Sequence, residues 1–248
     1  MADRETTVFM AEVAEQAERY TEMVELVKEL AKAHQELSVE ERNLFAVAYK
    51  NTIGSRRASW RIVSSIEQKE DGSTYSSKIK DYRENIEKEL DGVCDEVFDL
   101  LDNHLLPHAT SDDARVFFYK MKGDYFRYRA EYSSGDKRKQ AADGAAKAYE
   151  EANKVATEKL SPNNPLRLGL ALNYSVFLYE IANQPDEAIK TAKEAFDQSI
   201  AEIQTMSEED YREASVVMQL LRDNLTLWTS DLNDDEEDDD DDDDKKDE

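Results

Sequence analysis

A chain of 248 residues with a net charge of −25 excludes several classes of protein before any motif is considered. The excess of acidic residues disfavours nonspecific nucleic-acid binding, because the phosphates would be repelled. The single cysteine, Cys94, excludes an intramolecular disulfide and indicates a reducing compartment. Seven Gly and four Pro are too few for the many turns of a β-sandwich, so the composition favours an all-α fold.

Helix signals follow one another along nearly the whole chain. Ser38 and Glu41 form a capping box, which predicts a helix from about Val39 to Glu70. Two shorter helices precede Ser38, and short loops make successive helices antiparallel neighbours. Altogether, the sequence predicts about nine antiparallel helices. The other predicted starts are near Ser76, Asp112, Pro165, Pro185 and Ser207, and the other predicted stops are at Pro107, Gly135 and Pro162.

The two ends of the chain predict its location and its domain organisation. The N-terminus, MADRETTVFM, is charged and contains no secretory signal, and the apolar runs are too short for membrane insertion. We therefore expect a cytoplasmic protein, with the nucleus as a second location. Residues 234–248 hold 13 acids and 2 lysines, which leaves a net charge of −14 for the rest. This segment is predicted to be a disordered acidic tail behind a single domain at residues 1–233.

Two cationic stripes stand out in this acidic chain. The segment from Asn43 to Ile66 contains no Asp or Glu, while Lys50, Arg57 and Arg61 recur at helical spacing on one face. The absence of nearby acids predicts that these cations are not neutralised by internal pairs. The alternative interpretation of this first stripe is a solvated face, and that of the second stripe is an aromatic core. The second stripe holds Lys120, a supporting cation, and Arg127 with the adjacent Tyr128.

Two later helices carry single amides within apolar stripes. Asn173 lies beside Leu172 and Val176 and shares a face with Glu180, and Asn224 interrupts the apolar seam of the last helix. Each amide is either a satisfied core residue or a group that fixes the backbone of a bound peptide. The residues of that last seam are Val217, Leu220, Leu227 and Trp228. Together the stripes predict a groove with a cationic and an apolar wall, which suits a phosphoserine in an extended peptide.

Four segments resemble the 14-3-3 family: RNLFAVAYKNTIGSRRASWRIVSSIEQK, YKMKGDYFRYRAEYSSG, RLGLALNYSVFLYEI and MQLLRDNLTLWTSD. The resemblance covers about residues 8–231. It implies a nine-helix, cup-shaped protomer with an amphipathic groove, dimeric through its N-terminal helices with itself or a paralogue. It also implies a protein without catalytic activity, cofactor or metal that binds phosphoserine or phosphothreonine motifs of client proteins.

The resemblance also assigns roles to individual residues of the groove. The residues implied are Lys50, Arg57, Arg127 and Tyr128 for the phosphate, Arg61 as a supporting cation, Asn173 and Asn224 for the peptide backbone, Leu172, Val176, Leu220, Leu227 and Trp228 for the apolar wall, and Glu180 near the phosphate side.

The dimer interface resembles the family pattern with two departures. Arg19 and Glu89 match an interface ion pair, and Tyr82 matches an interface tyrosine. Thr74 and Asn85 stand where basic partners of other pairs are usual. The dimer is still expected, because exposed ion pairs contribute only about 0–1 kcal/mol each and apolar packing compensates for their loss.

Three further residues carry separate expectations. Ser59 follows two arginines and an alanine, a context typical of basophilic kinase sites, and the resemblance places it at the dimer interface. Phosphate there would favour monomers, whereas the alternative is a buried, unmodified serine. Arg129 replaces a usual apolar residue, and it either perturbs the fifth helix or adds to the basic wall. Gly54, in mid-helix, is expected to allow a close helix contact.

Other functions have weaker support in the sequence. A tetratricopeptide-like scaffold would bind unphosphorylated partners, and a histone chaperone would explain the acidic tail but not the basic stripe. The tail is also a candidate competitor for the basic groove, and its alternative role is to aid solubility. His104 and His108 have metal-ligand spacing, but Pro107 interrupts the helix and no third ligand is evident, so no metal site is predicted.

Overall fold

Helices form all of the regular structure of the described residues in the computed structural model. The structure describes the backbone of residues 3–206 and 208–243 and, except at residues 205, 209 and 210, the side chains up to residue 232. Nine α-helices and no strand occur in this part of the chain, as the sequence predicts. The helices are α1 (Arg4–Gln16), α2 (Tyr20–Ala31), α3 (Val39–Lys69), α4 (Ser76–Leu100), α5 (Asp112–Tyr132), α6 (Gly135–Lys159), α7 (Pro165–Glu180), α8 (Pro185–Glu202) and α9 (Glu208–Asp243).

Side-chain caps set the predicted helix starts. The Ser38 hydroxyl accepts from the Glu41 amide, and the Glu41 carboxylate accepts from the Ser38 amide, at 3.2 and 2.8 Å. Asn164 caps α7 by accepting from two backbone amides, at 2.9 and 3.2 Å. These bonds satisfy amide groups that lack a partner in the first turn of a helix.

The helix that the sequence predicts from Ser76 to Pro107 is shorter in the structure, and its last part is not α-helical. Helix α4 stops at Leu100 and continues as a π-helical turn, Leu101–Leu105, and a 3₁₀ turn, Leu106–His108. Proline lacks an amide hydrogen and its ring collides with the preceding turn of an α-helix, so a regular helix does not continue through Pro107. The sequence predicted the stop but not the π-helical turn before it.

The chain divides into two compact units, Met1–Ala148 and Tyr149–Glu248. The single domain at residues 1–233 stays a prediction. Helix α9 extends to Asp243, and residues 244–248 lie outside the described residues, so the disorder of the acidic tail also stays a prediction. None of the described helices is both long enough and apolar enough to cross a membrane.

The first unit is built from helices that pack in chain order. Helix α1 packs on α2, α2 on α3, α3 on α4 and α4 on α5, and α3 also contacts α5. The largest buried side chains include Phe45, Tyr49, Leu90 and Phe118, each at most 1% exposed. Burial of aromatic and branched side chains at this level contributes about 1.5–3 kcal/mol each. This core fixes α3 against α5, the two helices that carry the cationic stripes.

Packing of α7, α8 and α9 forms most of the second unit. Tyr149, from the second half of α6, stacks on Tyr174 and lies against Phe177, with ring centroids 5.4 and 5.5 Å apart. Leu168 and Leu170 complete the buried side of α7. Helices α7 and α9 are therefore neighbours in one unit, which brings the two amide-bearing helices together.

Gly54 does not have the role expected from the sequence. A Cβ atom added to this residue of α3 would meet no heavy atom within 4 Å. The prediction of a close helix contact at Gly54 is therefore wrong for contacts within the chain. Helical periodicity identifies the face of α3 on which the glycine lies, but it does not say whether a neighbouring helix covers that face.

Candidate functional site

A compact aromatic and cationic cluster forms where α3 meets α5. The guanidinium carbon of Arg57, from α3, lies 3.9 Å from the ring centroid of Tyr128, on α5. The guanidinium carbon of Arg127 lies 4.8 Å from the same centroid. Cations attract the negative face of an aromatic ring at such distances. The structure thus brings together three of the four residues predicted to bind phosphate.

The carboxylate of Glu131 holds both guanidinium groups of this cluster. Arg57 donates to it through Nη2 and Nε at 2.7 and 3.0 Å, and Arg127 Nη1 lies 3.6 Å away. The prediction that Arg57 lacks an internal partner is therefore wrong. The partner comes from a helix 74 residues further along the chain, because a partly buried guanidinium needs a counter-charge that α3 does not supply.

Asp124 is a second carboxylate within the basic cluster. It is 7% exposed, and its oxygens lie 3.0 Å from Lys120 Nζ and 3.4 Å from Arg127 Nη2. Lys120, predicted as a supporting cation, is therefore paired within α5. Neither carboxylate was among the residues predicted from the sequence. The i, i+3 and i+4 spacing of Asp124, Arg127 and Glu131 was the signal that would have found them.

Lys50 and Arg61, the other two predicted cations of α3, differ from the cations of the cluster. Both lie exposed on α3, and neither forms an ion pair within the part of the chain that the structure describes. Burial raises the pKa of Tyr128, so its hydroxyl stays protonated at neutral pH and retains a hydrogen to donate. Arg57, Arg127 and Lys120 exceed the two carboxylates by one charge, and Lys50 and Arg61, which share a face of α3 with Arg57 by helical spacing, raise the sum to +3. This charge suits a dianionic group with several acceptor oxygens.

Arg129 does not belong to this cluster. Its guanidinium donates to Asp95 at 2.6 Å and to the Asp91 carbonyl at 3.1 Å, and it lies 5.0 Å from the Phe98 ring centroid. These groups all belong to α4. Arg129 therefore joins α5 to α4, so it neither perturbs α5 nor adds to the basic wall, the two alternatives that the sequence left open.

The second unit carries the predicted amides on two adjacent helices. Asn173 and Asn224 are each half-buried, on α7 and α9. Leu220 and Leu227 are 46% and 58% exposed, and Val216, which the sequence analysis did not select, is 61% exposed. These side chains give α9 an apolar surface open to solvent. The other predicted residues of this surface are Leu172 and Val176, half-buried on α7, and Glu180, exposed at its end.

Trp228 is placed differently from the other predicted wall residues. It is only 4% exposed, and its ring stacks on Tyr179 with centroids 4.7 Å apart. Tyr179 in turn donates its hydroxyl hydrogen to Asp231 at 3.0 Å. Trp228 thus packs α9 onto α7 and offers little surface to a ligand, because packing rather than helical periodicity decides which residues of a seam stay open.

Exposed apolar side chains also lie on the N-terminal helices of the first unit. Phe9 is 61% exposed, and Ile62 and Tyr82 reach 61% and 62%. The residues predicted to form an interface ion pair have other partners within the chain: Arg19 binds Glu22, and Glu89 lies 3.0 Å from Arg56. Ser59 is exposed, and its hydroxyl donates to the Ser55 carbonyl at 3.0 Å.

Comparison with known proteins identifies the family of this chain. The family model described as 14-3-3 protein matches residues 10–229. Protein BMH2 of Saccharomyces cerevisiae is 58% identical over 235 residues, which are 93% of this chain and 86% of that protein. The checkpoint signal transducer rad24 of Schizosaccharomyces pombe is 56% identical over 231 residues, or 92% and 86% of the two chains.

A third relative extends the comparison to animals. The 14-3-3 protein epsilon of Drosophila melanogaster is 56% identical over 235 residues, which are 94% of this chain and 90% of that protein. Identity at this level covers every helix that carries a site residue, rather than one short motif. The matched proteins confirm the resemblance seen in the sequence, and the family consists of non-catalytic adaptor proteins. The chain therefore belongs to the 14-3-3 family.

Proposed function

We propose that this protein binds phosphoserine or phosphothreonine motifs of client proteins through the cluster on α3 and α5, and thereby regulates their activity, location or assembly. The observation that carries the proposal is the net positive cluster around Tyr128 in a chain of net charge −25. Two guanidinium groups held by one carboxylate form a preorganised pair of planar donors. Such donors match the oxygens of a phosphate.

The predicted phosphate-binding cations differ in whether they already have an ion-pair partner, and we expect them to bind the phosphate in two ways. Lys50 and Arg61 form no ion pair within the described structure, so each is able to bind a phosphate without breaking one. Arg57 and Arg127 share Glu131 as a common partner, and their two guanidinium groups would bind the phosphate together. Each charge-assisted hydrogen bond would contribute about 1.5–3 kcal/mol net.

The second unit carries groups that suit the backbone and the apolar side chains of an extended peptide. The amides of Asn173 and Asn224 offer both a donor and an acceptor to the backbone of an extended peptide. Leu220 and Leu227, exposed on α9, would cover its apolar side chains. Leu172, Val176 and Glu180 would line the same surface on α7, with Trp228 packed beneath it.

A dimer would use the exposed apolar surface of the N-terminal helices. Phe9 and Val13 lie on one face of α1, and Ile62 and Tyr82 on α3 and α4, and all are at least 40% exposed. Large apolar side chains that stay this exposed are typical of an interaction surface. Two binding sites in one dimer, with itself or a paralogue, would hold a doubly phosphorylated client more tightly through effective concentration. We expect this association in the cytoplasm.

Replacing Ser59 by glutamate should shift the protein from dimer to monomer. Ser59 is exposed on α3, three residues before Ile62 and on the same helix surface, so a negative charge there would lie near the proposed interface. Sedimentation velocity of the Ser59→Glu and Ser59→Ala proteins measures the effect, with the alanine variant as the control. An unchanged dimer in both variants would remove Ser59 as a regulatory site.

The phosphate dependence of the proposed function is testable with one peptide pair. Fluorescence anisotropy would compare Arg-Ser-x-Ser-x-Pro, phosphorylated and unphosphorylated on its second serine. We expect micromolar or tighter binding of the phosphorylated peptide only, since an unphosphorylated serine brings no negative charge to the basic cluster. Equal binding of the two peptides would instead support the scaffold interpretation, in which clients bind without phosphate.

A further inference from the structure

One buried arginine in the described part of the chain has no counter-charge. Arg42, in the first turns of α3, is only 7% exposed. The other buried charged side chains there, Glu41, Asp124 and Arg127, each form an ion pair. Arg42 forms neither an ion pair nor a hydrogen bond with any described residue, and its Nε atom is buried without a partner. Because an unpaired charge is costly to bury, Arg42 is a candidate for binding an external anion.

An aromatic ring of α5 holds the guanidinium group of Arg42 in place. Its central carbon lies 5.7 Å from the ring centroid of Phe117. This cation–π contact orients the group but supplies no full negative charge. Of the three guanidinium nitrogens, only Nε is both buried and unpaired, so Nη1 and Nη2 reach the surface. These two nitrogens are therefore able to donate to an anion that arrives from solvent.

The acidic residues nearest in the two helices do not neutralise Arg42. Glu41 accepts from Arg4 with both carboxylate oxygens, at 2.5 and 2.6 Å. Asp113 lies one turn before Phe117 on α5, but it is exposed and its carboxylate stays beyond ion-pair distance of Arg42. One guanidinium group without a partner suits a singly charged carboxylate, whereas the basic cluster suits a dianionic phosphate.

Arg42 lies on the same surface as the basic cluster, where α3 and α5 meet. Phe117, Tyr128 and Glu131 are separated by 11 and 3 residues, close to whole helical turns, so they share one side of α5. Phe117 contacts Arg42, and both Tyr128 and Glu131 contact Arg57. One α3–α5 surface therefore carries the unpaired arginine at one end and the basic cluster at the other.

The two helices set the spacing between Arg42 and the basic cluster. Arg42 and Arg57 are 15 residues apart on α3, which corresponds to about 22 Å at a rise of 1.5 Å per residue. Their contacts, Phe117 and Tyr128, are 11 residues apart on α5, or about 16 Å. An extended peptide advances about 3.3 Å per residue, so roughly five to seven residues would connect the two places.

We propose that Arg42 binds an acidic side chain of the client protein, about five to seven residues from the phosphoserine, and so selects among phosphorylated clients. This role rests on the proposed function, because the bound phosphate would fix the register of the peptide on the α3–α5 surface. The client carboxylate would accept from Nη1 and Nη2 and supply the counter-charge that Arg42 lacks.

The charge of the whole chain makes this preference a sharp criterion. A chain of net charge −25 repels an added carboxylate on a peptide unless that carboxylate meets a local cation. Tighter binding of an acidic peptide than of its neutral counterpart would therefore indicate a specific partner. General electrostatic attraction would give the opposite preference.

The experiment is fluorescence anisotropy of the full chain with matched phosphoserine peptides. Each contains Arg-Ser-x-Ser-x-Pro, phosphorylated on its second serine and extended at both ends with neutral residues. A single Glu stands at the fifth, sixth or seventh residue before or after the phosphoserine, and a matching peptide has Gln there. We expect at least one Glu peptide to bind more tightly than its Gln counterpart, by about fivefold or more.

Two variants locate the partner of the client carboxylate. Arg42→Met keeps an unbranched side chain against Phe117 but carries no charge, and it should abolish the preference for Glu. Arg115→Met removes the same charge from the first turns of α5, where Arg115 is exposed and binds Asp112, and it should keep the preference. Both variants should bind the Gln peptides as tightly as the native chain does, which checks that they fold.

The possible failures are distinguishable. If the native chain binds every Glu peptide no more tightly than its Gln counterpart, Arg42 has no such role, and the proposed function stands because the phosphorylated peptides still bind. A preference for Glu that Arg42→Met retains would place the carboxylate on another cation and also overturn the proposal. Failure of the native chain to bind any phosphorylated peptide would contradict the proposed function itself, and the role of Arg42 would fall with it.

Discussion

Replacing Arg57 by alanine should weaken the binding of a phosphoserine peptide by about 2–5 kcal/mol, or roughly 30- to 5,000-fold in Kd. Arg57 supplies one of the two guanidinium groups that flank Tyr128. Two of its nitrogens, Nε and Nη2, donate to the Glu131 carboxylate and hold the group in position. Its loss removes a charged donor and leaves Glu131 less neutralised beside the phosphate. Fluorescence anisotropy with the phosphorylated peptide measures the change.

The neighbouring arginine provides a matched control. Arg56 precedes Arg57 on the same helix, but it pairs with Glu89 at 3.0 Å and faces α4 instead of the cluster. Arg56→Ala removes the same charge from the chain and should change the affinity less than about twofold, since exposed pairs contribute only about 0–1 kcal/mol. Equal losses in the two variants would mean that net charge, not the cluster, attracts the phosphopeptide.

A lysine variant separates geometry from charge at the same position. Arg57→Lys keeps the positive charge but loses the planar fork that bonds Glu131 through two nitrogens. We expect an affinity between those of the native protein and Arg57→Ala. Full recovery by lysine would show that charge alone acts there. We expect each variant to keep the fold, because Glu131 retains Arg127 as a partner. Thermal melting of each variant checks this expectation.

Two glycines should respond in opposite directions when each is replaced by alanine. A Cβ atom at Gly144, on α6, would lie 2.7 Å from two ring carbons of Phe126. That ring stacks on Phe98, with centroids 4.1 Å apart, so it does not move aside freely. Overpacking of this kind costs about 1–3 kcal/mol in the free energy of unfolding. Gly144→Ala should therefore destabilise the protein.

Gly92→Ala is the matched control for this prediction. Gly92 lies inside α4, where an added Cβ atom would meet nothing within 4 Å. Alanine is better than glycine in a helix interior by about 1 kcal/mol, so this variant should be slightly more stable than the native chain. The helix propensity gain is common to both variants and cancels in their difference. Chemical denaturation that gave equal stabilities would contradict the close contact at Gly144.

Local chemistry determined the helix starts and the family of this protein. Ser38 and Asn164 have capping groups within three residues of the amides that they bind, so both starts were readable from the chain. Spacing by four and seven also identified the stripe of Lys50, Arg57 and Arg61, because these intervals place residues on one face of any helix. The segments on four helices indicated the 14-3-3 family, and the comparisons confirmed it.

Only the tertiary structure decided which faces meet. Glu131 is 74 residues from Arg57, and no periodicity within α3 could indicate that this carboxylate neutralises it. The burial of Trp228 on Tyr179 and the position of Arg42 over Phe117 arise in the same way. Caps and helical periods are fixed by bonds between near neighbours in the chain. Contacts between helices depend on how whole faces pack, which the sequence of one helix does not specify.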